Sequence, residues 1–338
     1  MSDRPLLVRD LGEHGLLERL QRYCPANLVG DDGAVLATAP GKSIVITTDV
    51  LVDRVHFSDR TTSGFDVGWR ATAANLSDLA AMGASPLGIT VGLSLPGEMP
   101  VDWVEAVYTG IETCLQQHSA SLVGGDICRS TVASLAITAL GEVSPNRVIR
   151  RHNAQPGNAI VVTGLHGLSR GGLELLLNPS RGINLAQQER ERLIAAHQRP
   201  QPRLDILPYL AKIPDSIAIA GMDSSDGLAD ALQQICRCSN VGARIAQASL
   251  TIFSGLIELT GEELAREWMF YGGEDFELVL CLPPEFAVEL VKELGENAAI
   301  IGEITQNLAI QCVDADYSIP RKTFNLGKKN PGRGFRHF

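Results

Sequence analysis

Six stretches of strand length are apolar or alternate apolar with polar: "SIVITTDVLV" (43–52), "LGITVGLSLP" (87–96), "SLAITALGEV" (134–143), "NAIVVTG" (158–164), "FELVLCLP" (276–283) and "AAIIGEI" (298–304). Each is bounded by Gly, Pro, Asp or another polar residue, as strand ends usually are. Apolar residues recur at helical spacing over Phe65–Gly83, Val101–Ser119, Gly171–Asn178, Ala186–His197, Arg203–Lys212, Gly227–Cys238 and Glu285–Gly295. The pattern predicts a mixed α/β and α+β chain. A polar stretch, "SPNRVIRRHNAQPGNA", carries Pro145, Pro156 and Gly157 and divides the chain near residue 146, into domains 1–145 and 146–338.

Composition narrows the function classes. The 338 residues are 45% hydrophobic and 20% charged, with a formal net charge of −10. That balance argues against a nucleic-acid or anionic-membrane surface, because either would need clustered Lys and Arg. The seven cysteines are scattered and form no CxxC, so neither a disulfide framework nor a zinc site is expected, and a reducing cytoplasm fits. The N-terminal "MSDRPLLVRDLGEHGLLERL" is charged and helix-periodic, unlike a secretory leader, and no apolar run reaches the length of a membrane span. The basic tail "GKKNPGRGFRHF" ends in Phe335 and Phe338, which sets it apart from an ordinary frayed terminus.

The chemistry concentrates in short acidic motifs. Asp31 and Asp32 follow Gly30; Asp49 follows Thr47 and Thr48 at a strand end; Asp78 follows "NLS" in a helical segment; Asp126 follows Gly124 and Gly125; Asp223 and Asp226 flank Ser224 and Ser225. Neighbouring carboxylates repel unless a positive charge sits between them. Oxygen donors with no His or Cys beside them are the ligand set of a hard divalent cation, and Mg²⁺ commonly bridges carboxylates to substrate phosphates. Taken singly, each motif is most simply a turn or helix cap. Five of them, in a chain poor in other catalytic groups, point to a metal-assisted phosphate site.

Other nucleotide loops are missing. "APGKS" (39–43) imitates the end of a P-loop, but the loop's first glycine would fall at Leu36. A nucleotide would be held through metal, glycine backbone and an arginine such as Arg151. "GLSRG" (167–171) matches G-x-S-x-G and would make Ser169 a hydrolase nucleophile, yet three residues, Leu165 to Gly167, separate the strand's end at Gly164 from Leu168, where an elbow turns sharply. His56, His166 and Tyr108 receive no role from spacing alone, and Tyr108 is expected to pack against apolar neighbours.

The ordered set "GDDGAVL", "TTDVLVDRVHF", "NLSDLAAMGASP", "GGDICRS", "RPQPR", "DSSDGL" and "GGEDFEL" resembles the thiamine-monophosphate kinases, over nearly the whole chain. These belong to the aminoimidazole ribonucleotide synthetase, or PurM-like, superfamily. The resemblance implies an N-terminal α/β domain that forms a homodimer, a C-terminal α+β domain, and ATP in the cleft between them where acidic loops of both meet. It implies Mg²⁺-dependent transfer of the ATP γ-phosphoryl group to thiamine monophosphate by direct in-line attack, the last step in making thiamine diphosphate, with Asp32, Asp49, Asp126 and Asp226 at the reacting centre. By the same resemblance Asp32, Thr47, Thr48, Asp49, Asp78, Asp126, Asp223 and Asp226 hold several Mg²⁺ ions; Tyr108, Gly125, Asp126, Arg151 and Ser225 contact ATP; and His56, Glu274 and Phe335 contact the substrate. A phosphate nucleophile is already ionised at neutral pH, which accounts for the lack of an obvious base and nucleophile pair.

Two departures stand out: Arg54 where a glycine or other small residue is expected, and Phe276 where tyrosine is frequent. Three other readings compete. A related ATP-dependent synthetase of the superfamily should carry a reactive cysteine near its N-terminus or at its C-terminus, and Cys24 and Cys312 fit neither placement. A serine hydrolase would rest on Ser169, and a non-catalytic cation-binding module on the acidic motifs alone.

Overall fold

The computed structural model describes residues 5–25, 34 and 36–313. The described residues up to Leu79, with Ser85–Val143, form one compact unit; Ala80–Ala84 and the residues from Ser144 onward form a second. The five residues 80–84 thus leave the first half of the sequence and join the second unit, a division that no composition shift announces.

The first unit runs α1 (Val8–Leu20), β1 (Ser43–Val52), α2 (Gly64–Ala81), β2 (Ser85–Leu95), α3 (Val101–Gln117), β3 (Leu122–Arg129) and β4 (Ser134–Val143). Its sheet has the order β1-β4-β2-β3. The β4 strand is antiparallel to both β1 and β2, while β2 and β3 run parallel. Alternation of period two puts Leu51, Leu135, Ile137, Val91 and Leu93 on the buried face. On the other face of β1, Ile44, Ile46 and Val50 stay exposed at 54%, 63% and 49%. The pattern along "LVGGDICR" does not suggest β3, because two glycines and an aspartate dilute the apolar signal of an edge strand.

Helices α2 and α3 pack through glycines. A Cβ added at Gly68 would collide with the Val107 carbonyl oxygen, and one at Gly110 with that of Phe65. Backbone meets backbone at both points, so neither contact can yield by a rotamer change.

The second unit contains β5 (Ala159–Val162), α4 (Leu168–Leu177), α5 (Gln187–Gln198), α6 (Leu207–Leu210), β6 (Ala220–Asp223), α7 (Leu228–Ser239), β7 (Gly242–Ala246), α8 (Ser254–Thr260), α9 (Glu262–Tyr271), β8 (Leu278–Leu282), α10 (Pro284–Leu294), β9 (Ala299–Thr305) and β10 (Ile310–Val313). Its six strands have the order β10-β7-β9-β5-β8-β6. The core lies between this sheet and α7, whose Leu228, Ala231, Leu232 and Ile235 are buried at helical spacing. A smaller apolar cluster joins α4, α5, α8 and α9 around Leu175, Leu193, Leu256 and Trp268. The expected helix over Arg203–Lys212 is instead a 3₁₀ turn, Arg203–Ile206, followed by the single turn of α6. Pro208 lacks the amide hydrogen that a helix running through it would use.

His166 lies in the turn after β5 at 3% exposure, its Nε2 3.0 Å from Ser224 Oγ. Burial lowers its pKa from 6.5 to about 4, opposed by a backbone hydrogen bond at Gly164. Between those values the unfolded chain binds a proton that the folded chain refuses. This group's contribution to stability is therefore complete above 6.5 and lost as pH falls towards 4.

Two stability measurements check this description. Gly110→Ala should cost about 1–3 kcal/mol or more in urea unfolding, as overpacking at a fixed backbone does, and an unchanged midpoint would contradict the contact. His166→Gln should shrink the fall in urea midpoint between about pH 7 and about pH 5, and a fall as large as the parent's would contradict the buried neutral imidazole.

Candidate functional site

In the first unit, two periodicities bring polar groups face to face. Period two along β1 puts Thr47 and Asp49 on the side of the sheet that carries α2. Asn75 and Asp78, three apart in "NLSD", share one face of α2. Thr47 Oγ1 donates a hydrogen bond to Asp78 Oδ2, and the Asp49 amide donates to Asn75 Oδ1 at 3.1 Å. Asn75 is fully buried and anchored by its Nδ2 donating to the Ala71 carbonyl at 2.9 Å. Carboxylates, a hydroxyl and an amide oxygen thus collect at one strand-helix contact.

The remaining residues of this unit spread over the sheet. Thr48 lies on the opposite face, its Oγ1 2.8 Å from Thr138 Oγ1. Asp49 shares its cross-strand row with Ile137, Val91 and Gly125, whereas Asp126 belongs to the next row, with Gly92, Ala136 and Val50. The pleat therefore gives Asp126 the Thr48 side of the sheet, and it is exposed on the edge strand. A Cβ at Gly125 would press against the Val91 carbonyl oxygen, so the glycine keeps the two parallel strands in register. Among the described residues, no three His, Cys, Asp or Glu side chains are grouped to hold a metal ion. Mg²⁺ takes only one or two carboxylates with waters and phosphates, so it needs no protein cage.

His56 sits in the turn after β1, where its Nδ1 accepts from the Val52 amide at 3.1 Å. Arg54 in the same turn has φ of 63°, a left-handed conformation that explains the expectation of a glycine there. Tyr108 on α3 is 4% exposed and its ring centroid is 5.6 Å from that of Tyr23, with burial raising the phenol pKa above its ordinary value. It packs inside the unit, as its position on α3 predicts. Asp32 and Phe335 lie outside the described residues.

In the second unit, β6 delivers Asp223 to the start of the "DSSDG" turn and α7 leaves it. Ser225 Oγ donates to Asp223 Oδ1 at 3.1 Å, and Asp226 is exposed at the turn's tip. Arg151 Nη1 donates to Gln234 Oε1 on α7 at 2.6 Å. The "GGEDFEL" segment runs beside this turn. The Glu274 amide donates to the Ser225 carbonyl at 2.7 Å, and the Ser224 amide donates to the Glu277 carbonyl at 2.8 Å. Glu274 and Phe276 have φ of 58° and 53°, so the segment is held in a left-handed path that its hydrogen bonds must maintain.

Two anchors in this segment, Asp275 and Glu277, and a distant partner, Arg203, carried no role in the sequence reading. Asp275 accepts hydrogen bonds from the Gly167 and Ser169 amides at 2.7 and 2.9 Å, capping the start of α4. Burial raises its pKa to about 7, against the lowering effect of those two bonds. Glu277 Oε2 meets Arg203 Nη1 and Thr163 Oγ1, each at 2.6 Å. Arg203 spends its other face on Asp205, with Nε and Nη2 at 2.9 and 3.0 Å from the two carboxylate oxygens. Burial opposes the Arg203 charge, but Asp205 and Glu277 outweigh it and raise the pKa. The motifs "RPQPR" and "GGEDFEL" were visible in the sequence; their pairing was not, because 74 residues separate Arg203 from Glu277.

The G-x-S-x-G match does not build a nucleophile elbow. Ser169 lies in the first turn of α4 at 1% exposure, its Oγ 3.1 Å from Nδ1 of His197, itself 2% exposed. The carboxylate near that imidazole, Glu274 Oε2 at 3.9 Å, approaches the same Nδ1. A base aimed at a nucleophile is oriented through its other nitrogen, and its nucleophile must be reachable.

Family models of the AIR synthase related protein match the chain twice in sequence order, the N-terminal domain over residues 30–143 and the C-terminal domain over residues 155–313. A thiamine-monophosphate kinase of Synechococcus elongatus is 49% identical, over 100% of this chain and 99% of the relative. The crystal structure of thiamine-monophosphate kinase from Stenotrophomonas maltophilia K279a is 34% identical with a TM-score of 0.77, covering 88% of this chain and 95% of that one. AaThiL complexed with AMPPCP and TMP is 29% identical with a TM-score of 0.74, covering 100% of both chains. With both domain models matched in order and near-half identity along its length, the chain belongs to the AIR synthase related family and, within it, to the thiamine-monophosphate kinases.

Proposed function

We propose that this chain transfers the γ-phosphoryl group of ATP to thiamine monophosphate, giving thiamine diphosphate and ADP. The observation that carries the reading is the contact of β1 with α2, where Thr47 donates to Asp78 and the Asp49 amide donates to Asn75, so that oxygen ligands gather side by side, in a chain of this family. A relative that holds AMPPCP and TMP together supports direct transfer between two bound phosphates, with no phosphoenzyme.

The donor chemistry fits several Mg²⁺ ions: Thr47, Asp49 and Asp78 on one side of the first sheet and Thr48 and Asp126 on the other, with Asp32, Asp223 and Asp226, would hold them, and the ions would neutralise polyphosphate charge as the phosphoryl group moves. Asp32, Asp49, Asp126 and Asp226 stand at the reacting centre in this reading. Gly125, Asp126 and Tyr108 of the first unit and Arg151 and Ser225 of the second are assigned to the nucleotide in this reading. His56, Glu274 and Phe335 are assigned to thiamine monophosphate, whose thiazolium charge a carboxylate such as Glu274 would attract.

We further propose a homodimer formed through the first unit, residues 1–145 in the sequence division, supported by the apolar, exposed side chains of Ile44, Ile46 and Val50 on one face of β1. A cytoplasmic setting accords with seven free cysteines and with the fact that, among the described residues, no helix is long and apolar enough to cross a membrane. The hydrolase reading is not favoured, since Ser169 is buried in α4, and the synthetase reading lacks its cysteine.

With ATP, Mg²⁺ and thiamine monophosphate, Asp49→Asn should lower ADP formation by about 100-fold or more while Ser169→Ala stays near the parent rate; the reverse pattern rejects the kinase reading. Asp126→Ala should raise the Mg²⁺ concentration needed for half-maximal rate, and an unmoved requirement would remove Asp126 from the metal set. Ile46→Asp should halve the mass seen by light scattering, whereas a parent-sized mass would exclude this face as the dimer contact.

A further inference from the structure

The Arg203 and Glu277 ion pair has no role in the reaction as described, yet it is placed where it can control the turn that carries Asp223, Ser225 and Asp226. Arg203 is 13% and Glu277 18% exposed at the side chain. The guanidinium holds Glu277 on one side and Asp205 on the other, and Nη1 also donates to the Thr163 carbonyl at the end of β5. Glu277 in turn fixes the turn through its backbone: its carbonyl accepts both the Ser224 amide at 2.8 Å and Ser224 Oγ at 3.0 Å. Three residues earlier, the Glu274 amide holds the Ser225 carbonyl at 2.7 Å. The "DSSDG" turn is therefore gripped at two consecutive residues by a segment whose own backbone is left-handed at Glu274 and Phe276. Such a path does not persist unless side-chain contacts over-determine it.

We infer that Arg203 is a positioning residue: by clamping Glu277 it holds the 272–277 segment, left-handed at Gly273, Glu274 and Phe276, against the Ser224 and Ser225 backbone, and so sets where Ser225 and Asp226 meet Mg-ATP. This inference rests on the proposed assignment of that turn to the nucleotide. Lysine cannot replace the clamp fully, because one ammonium cannot serve Asp205 bidentately and reach Glu277 and Thr163 together.

The test compares Arg203→Lys, Arg203→Gln, Glu277→Gln and Ser225→Ala by steady-state kinetics, with each substrate varied in turn and folding checked by circular dichroism and urea unfolding. Arg203→Gln and Glu277→Gln should each raise KM for Mg-ATP by about tenfold or more, leave KM for thiamine monophosphate within about twofold, and combine non-additively in the double variant; Arg203→Lys should recover part of the loss. If Ser225→Ala raises KM for Mg-ATP while the Arg203 and Glu277 variants leave it unchanged, the positioning role is overturned and the nucleotide assignment stands. If Ser225→Ala also leaves it unchanged, the assignment of the turn fails first. Loss of stability with kcat and both KM values moving together would mean a structural pair only, and would overturn the inference as well. Should Arg203→Gln fail to fold, the Glu277→Gln and Arg203→Lys split decides the matter by the same criteria.

Discussion

Negative charge held close together needs a counter-charge, and this requirement governs the site chemistry more than any apolar contact does. On β1 and α2 the chain collects oxygen donors at Thr47, Asp49, Asn75 and Asp78. In those contacts the Thr47 hydroxyl donates to the Asp78 carboxylate, while the Asp49 amide donates to the Asn75 side-chain oxygen. Around "DSSDG" the same arrangement recurs in another form, with Asp223 satisfied by Ser225 and Asp226 exposed. An acidic chain organised this way attracts a phosphate ester only when divalent cations reverse the local sign of the field. In the proposed reading, acidity thus becomes a means of recruiting substrate.

The scaffold keeps these groups in place by backbone contacts that tolerate no side chain. Glycines 68 and 110 let α2 and α3 approach until carbonyls touch Cα positions, which fixes the helix that presents Asn75 and Asp78. In the second unit the equivalent task falls to polar clamps: Asp275 on the first turn of α4, and Arg203 on Glu277. Packed glycines resist displacement because atoms would overlap. Ionic clamps resist it because breaking one leaves a half-buried charge without its partner.

Much of this was legible in the chain before any coordinates. The strands at 43–52 and 134–143 have the bounds read from the sequence; period two is unambiguous along 134–143, where one face is apolar throughout, while 43–52 shows as an apolar run broken by Thr47, Thr48 and Asp49. Strands β6, β7 and β10, of four or five residues with Gly, Asp or Gln among them, carry too few positions for periodicity to register. Helices α8 and α9 went unnoticed for a different reason: Gly261 and polar flanks interrupt their pattern, the apolar face of α8 meets a satellite cluster, and that of α9 is divided between this cluster and the main core. Within the site, Thr47, Asp49 and Asp78 were named by the family resemblance together with the other acidic motifs; period two puts Thr47 and Asp49 on one face, but that this face meets α2 follows from the fold. The placement of Thr48 and Asp126 on the other side of the sheet follows from cross-strand register, which no single strand encodes. Arg203 and Glu277 were quoted within motifs and given no function, since partners so far apart in sequence meet only through the fold.

The central claim is that the carboxylates of β1 and α2 act through a divalent ion shared with the nucleotide. Anomalous scattering from Mn²⁺ in crystals grown with AMPPCP tests it most directly. The account predicts a metal peak on the order of 2.1 Å from oxygens of Asp49 and Asp78 and bridged to a phosphate. Metal held elsewhere, with both carboxylates unligated while the nucleotide is bound, would contradict it.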